Sequence, residues 1–142
     1  MIKEPPADSH IRSLFPSFQI RASRLLDRAR KAGIRFTVLE TKRSEKRQYY
    51  FYGRGRTYSQ CIRIGMSQDE AEMYSNPHVP QQVSRGLDDN FVLGKAMTIR
   101  LINETDKTFI VEEAAIQRMK VSFLHKYIRK PMFCIVLEDL DG

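Results

Sequence analysis

Tryptophan is absent from this chain, and cysteine and histidine are scarce, with two and three residues among 142. Cys61 and Cys134 lie far apart and form no C-x-x-C pair, so two buried free thiols are expected rather than a disulfide or a metal site. No apolar run approaches the roughly 20 residues that a membrane-crossing helix needs. Residues Met1 to Asp8 carry a charge pair and two prolines but no apolar stretch, so no secretory leader is expected. The expectation is synthesis in the cytoplasm, with delivery as part of a particle if the protein acts outside a cell. Internal repeats and low-complexity tracts are also missing.

What is present is ordinary for a soluble fold. A hydrophobic share of 42% and a charged share of 29% suit one globular domain. A chain of this length buries about two-thirds of its unfolded surface without covalent staples. The net charge of +7, from 24 Lys and Arg against 17 Asp and Glu, favours an anionic partner. Nucleic acid, wall polymers, lipid head groups and an acidic protein face all meet that condition.

Residues 1–16 read as an extended, proline-marked arm, and residues 17–142 as the domain. Phe18, Ala22, Leu25, Leu26, Ala29 and Ala32 recur at helical spacing, with Ser17 as N-cap and Gly33 as the stop. The opposite face, Arg21, Arg24, Arg28 and Lys31, reads as solvated. Ile34 to Leu39 alternates as a strand. A helix is predicted from Ser44 to Tyr52, and a short one after the capping box Ser67-Gln68-Asp69-Glu70. Residues 76–90 read as a loop and Lys95 to Ile102 as a strand, with Thr108 to Val111 as its hairpin partner. The pattern then predicts a helix from Glu113 to Ile128, a break at Pro131 and a strand from Met132 to Leu137. This order points to an α+β domain, a mostly antiparallel sheet with helices packed on it.

One segment is more specific. Arg43 is followed by Gln48 and then by Tyr52-Gly53-Arg54-Gly55-Arg56-Thr57. This run resembles the front half of the peptidoglycan-cleaving zinc peptidases, the D-Ala-D-Ala carboxypeptidases and the L-alanyl-D-glutamate endopeptidases of phage lysins. The resemblance implies a peptidoglycan-metallopeptidase-like fold. It also implies that Arg43, Gln48 and Arg56 are remnants of a substrate side. In that family the arginine at the position of Arg43 steadies charge developing at the scissile carbonyl, a task suited to a permanently charged planar fork of donors.

The rest of the family pattern is broken. Its second motif, Ser-x-His-x-x-Gly-x-Ala-x-Asp, aligns on Gly94 and Ala96 and places Phe91 at the histidine and Thr98 at the aspartate. A register starting at Ser84 puts Gly86 at the histidine instead. The third motif places Arg129 at the general base and Met132 at the last histidine, followed by Phe133. A catalytic zinc takes about three N, O or S protein ligands and one open position. Phe91 has no lone pair, Thr98 a neutral hydroxyl, and Met132 a thioether suited to softer metals. Without the metal no bound water is acidified, and Arg129 accepts no proton. The expectation is a non-catalytic domain with no metal and no cofactor.

Three alternatives remain open at this point. A relocated zinc site would draw on His78, His125 and an aspartate such as Asp88 of the Asp88-Asp89 pair, making the chain a peptidoglycan endopeptidase. Arg43 and Arg56 could instead still grip the carboxylates of wall peptides. Basic and aromatic residues interleave from Lys42 to Arg56, yet Arg47 and Phe51 share a helix face and no compact nucleic-acid signature appears, so nucleic acid is the weakest partner. The leading expectation is a structural or assembly component of a phage or phage-like particle, with other protein subunits, copies of itself included, as partners.

Overall fold

The computed structural model describes residues 2–81, 86–128 and 130–141. Ser84, Arg85 and Arg129 lie outside these residues, as do the side chains of His125 and Met132.

Residues 2–10 have no regular secondary structure, and Ile11–Ser13 forms a 3-10 turn. Helix α1 (Pro16–Lys31), with Phe15 as its N-cap, starts two residues earlier than a Ser17 cap predicts. Proline at the first helical position has its φ already set and lacks only an N–H that would be orphaned there. Phe18, Ala22, Leu25, Leu26 and Ala29 form the buried stripe. Each fully buried Leu or Phe of that stripe contributes about 1.5–3 kcal/mol relative to exposure. Leu14 joins the same core, so the arm is free of the core only as far as residue 10.

Strand β1 (Phe36–Glu40) leads to helix α2 (Glu45–Gly53), whose N-cap Ser44 accepts from the Arg47 amide at 3.1 Å. Helix α3 (Tyr58–Arg63) was not expected, although its capping box, Thr57 with Gln60, stands in the sequence. Helix α4 (Gln68–Tyr74) carries the predicted box of Ser67 and Glu70. Strand β2 (Ala96–Leu101) follows the long loop.

The second half departs from the expected order. Residues Lys107–Ile116 form helix α5, not a hairpin strand, and Met119–Ile128 form strand β3, not a helix. Thr108-Phe109-Ile110-Val111 has high β-propensity, but Ile110, Ala114 and Gln117 recur at helical spacing and are buried, so packing overrode local preference. Arg118, at φ 55°, breaks the helix and turns the chain into β3. His125 therefore stands on a strand, opposite Phe133. Pro131 does not end a helix; it lies in strand β4 (Lys130–Asp139), opposite Tyr127.

The four strands make one antiparallel sheet in the order β1-β2-β4-β3, which is the α+β architecture that the sequence implies. Met97, Ile99 and Leu101 of β2 and Ile135 and Leu137 of β4 face α1 and α5 across the main core. A second cluster, Tyr49, Cys61, Met66, Ala71 and Tyr74, joins α2, α3 and α4. Cys61 and Cys134 are both free and buried. Among the described residues no helix is long and apolar enough to cross a membrane.

The basic side of α1 is not simply solvated. Arg21 is buried and donates to the Gln117 carbonyl at 2.8 Å and to the Arg118 carbonyl at 3.2 Å, and it pairs with Asp139. Arg28 meets the buried Glu113 carboxylate at 3.2 Å. These contacts tie α1 to α5 and to the end of β4; Arg24 and Lys31 stay exposed.

Candidate functional site

The site begins with an irregularity in β1. Val38 pairs with Ile99, but the next pair is Glu40 with Thr98, so Leu39 is an extra residue in the ladder. Such a bulge re-aims the side chains that follow it. Directly paired residues share a sheet face. Glu40 therefore joins Thr98 on the face turned away from the main core.

There the Glu40 side chain is 6% exposed and takes two arginines. Its Oε1 accepts from Arg43 Nε at 3.1 Å and from Nη2 at 2.5 Å, and its Oε2 accepts from Arg47 Nε. Arg43 Nη1 also donates to Gln48 Oε1 at 3.0 Å. The Arg43 guanidinium lies over the Phe51 ring at 4.8 Å and over the Phe91 ring at 4.4 Å, and Arg47 lies over Phe51 at 4.7 Å. Helix α2 supplies three of these groups because Arg47 and Phe51 are one turn apart, with Gln48 beside them. The 89–95 loop is held down by the Arg43 amide donating to the Phe91 carbonyl at 2.8 Å and by Asn90 donating to Glu138 at 2.8 Å.

The arm closes over this network. Arg47 Nη1 donates to the Pro5 carbonyl at 2.6 Å and faces Glu4 at 3.4 Å. The Thr41 amide donates to the Asp8 carbonyl at 2.7 Å, and Ile2 packs against the second cluster. Hydrogen bonds from the Ser13 side chain and the His10 amide lower the Asp8 carboxyl to about 2.

Arg43, Gln48, Phe91 and Thr98 thus meet around Glu40, a residue that the sequence reading did not single out. The available signal was an acid two residues ahead of a basic run, Lys42, Arg43, Lys46 and Arg47, that also contains Glu45. Arg56 belongs elsewhere: it donates to the Tyr52 carbonyl at 2.7 Å, lies over the Tyr52 ring at 4.0 Å and is buried. Gly53 and Gly55 are explained by close approach, since a Cβ would stand 2.0 Å from the Tyr74 carbonyl oxygen and 2.2 Å from Gln81 Cα. Thr57 caps α3. Each residue of the Gly53–Thr57 run therefore has a local structural task, Arg54 making the bridge to Asn76.

The Met132 position lies along β4 away from Thr98. Thr98 pairs with Val136, and Met132 stands four positions along β4, about 13 Å away at strand spacing. The alignment of the third motif thus does not bring its ligand position to Thr98, because β4 starts earlier than expected and runs straight past it. Arg129 lies outside the described residues. His78 is exposed in the turn after α4 and Asp88 is exposed in the 3-10 turn Gly86–Asp88. Among the described residues no three His, Cys, Asp or Glu side chains group as a metal site.

Chemically, the cluster balances charge with Glu40 and Glu4 set against Arg43 and Arg47, and it commits three of the five Arg43 N–H donors internally. No family model, no curated protein and no solved structure matches the chain.

Proposed function

We propose that this chain is a non-catalytic, peptidase-like domain that works as a structural or assembly subunit, with other protein subunits, copies of itself included, as its partners. The observation that carries the reading is the environment of Arg43. An arginine that steadies a scissile carbonyl needs free donors aimed at the substrate. Here three of its five N–H donors are directed to Glu40 and Gln48, and the Phe91 ring covers the guanidinium where the family pattern asks for an imidazole. Thr98, at the aspartate position, faces Glu40 rather than an open cleft. Incorporation into a phage or phage-like particle is part of the proposal and rests on the family resemblance.

The test is a pair of measurements on purified protein. Metal analysis after zinc loading is expected to find far less than one equivalent, and incubation with cell-wall peptides is expected to leave them intact. Stoichiometric zinc together with cleavage overturns the reading. Light scattering after size exclusion then reads assembly directly, with and without residues 2–8. An unchanged mass profile removes the arm from any assembly role. Pull-down on purified cell walls, repeated with Arg43→Ala, separates assembly from residual wall-peptide binding.

A further inference from the structure

Strand β1 is an edge of the sheet, and a groove of about 470 Å³ lies beside it. Its lining runs from Ile34 to Val38, with Arg30 and Ile102 at the sides. Phe36 and Val38 point toward the α1 side and pack on the main core, whereas Thr37 points the other way and is exposed. Residues of both faces line the groove, so it follows the strand's outer edge rather than lying on one face.

The backbone there is available. The Ile102 amide donates to the Arg35 carbonyl at 3.2 Å, and Thr37 pairs with Arg100. Antiparallel bonding alternates, so Arg35 and Thr37 turn their peptide groups inward while Phe36 and Val38 turn theirs outward. Among the described residues Phe36 and Val38 make no backbone hydrogen bond outside the sheet. An incoming strand finds two N–H and two C=O groups in register.

The groove walls choose the sign of the guest. Arg30 lies over the Phe36 ring at 5.2 Å, and Arg35 is exposed. Arg100 is paired with Thr37 and shares its face. Asp27, on the same helix, is already bonded to Arg30 at 3.1 Å. Ile102, 54% exposed, adds an apolar contact on the Thr37 side. We infer that this edge takes an extended acidic segment of another protein as a fifth strand, with apolar side chains on one face and carboxylates facing Arg35 and Arg100. A second copy of the same edge is a poor guest, since it would bring two further arginines into one groove. The inference is independent of the reading proposed above, because neither Glu40 nor Arg43 lines this groove.

The probe is a short capped peptide of alternating glutamate and valine, titrated into isotope-labelled full-length protein. The amide resonances of Phe36 and Val38 are expected to shift and to exchange more slowly. A lysine–valine peptide is expected to bind about tenfold more weakly, and added salt to weaken the glutamate peptide. Val38→Pro, which removes one outward N–H and is tolerated on an edge, is expected to abolish binding. Arg35→Glu, an exposed change that leaves the fold alone, is expected to abolish the preference between the two peptides and carries the test if Val38→Pro fails to fold. Equal binding of both peptides, shifts confined to other residues, no binding, or a dimer paired through β1 each overturns the inference. Zinc content and wall-peptide cleavage of the same variants read the other proposal separately.

Discussion

Glu40 sits opposite Thr98 one step after a bulge in β1, and its buried carboxylate holds the guanidinium groups of Arg43 and Arg47. A ladder without the extra residue would place Leu39 opposite Thr98 and send Glu40 toward the apolar core. There the carboxylate would lose water without gaining a partner, a cost of several kcal/mol. The bulge, the two arginines and the arm that covers them are joined by direct contacts.

Removing the anion at its centre leaves two largely buried cations with only the half-exposed Glu4, beside Arg47, as counter-charge. Glu40→Ala is expected to lower unfolding free energy by about 3–5 kcal/mol, read from urea denaturation. A change below about 1 kcal/mol would mean that water screens the pair and that the network is not closed.

Phe91→His supplies the imidazole that the family pattern asks for. It is expected not to raise zinc binding measured by calorimetry. One donor of about three is insufficient, and Arg43 and Arg47 repel a dication. Stoichiometric zinc in this variant would show that other ligands already converge on the position.

Arg21 and Asp139 form a second buried pair, with Asp139 only 2% exposed at its side chain. Arg21→Met is expected to cost about 3–5 kcal/mol, since it strands a carboxylate between α1 and β4. In a double-mutant cycle with Asp139→Asn the coupling is expected to exceed about 1 kcal/mol. Additive effects would deny the pair.

The arm has an acid limit. The Asp8 carboxyl falls from its ordinary 3.8 to about 2 on folding, held by Ser13 and the His10 amide. A lowered folded pKa gives stability that is fully present above about 4 and is lost as pH falls through about 2. Faster exchange of the Thr41 amide, which donates to the Asp8 carbonyl, is expected across that window. In Asp8→Asn the same exchange is expected to show no such dependence on pH.

Much of the first half was legible because its signals are local. The stripe of α1, the capping residues Ser44 and Ser67, and the alternation of β1 each depend on neighbours a few positions away. The capping box at Thr57 was equally local but was read as part of a longer motif. From residue 107 onward local preference misled. Thr108 to Val111 favours a strand in isolation, and Met119, Phe123 and Tyr127 also fit a helix stripe. Both segments were settled by the partner that each found, α1 for the first and β4 for the second.

The sequence alone determined the α+β class, the basic balance and the caps of α2 and α4. Only the tertiary structure decided that Phe91 covers Arg43, that Met132 stands apart from Thr98 and that Glu40 is the hub. The reason is physical: residue types set which contacts are possible, while one extra residue in a strand sets which face a side chain reaches. A buried carboxylate is tolerated only where two arginines from the following turn and helix come within hydrogen-bond reach, and that meeting is made by the fold.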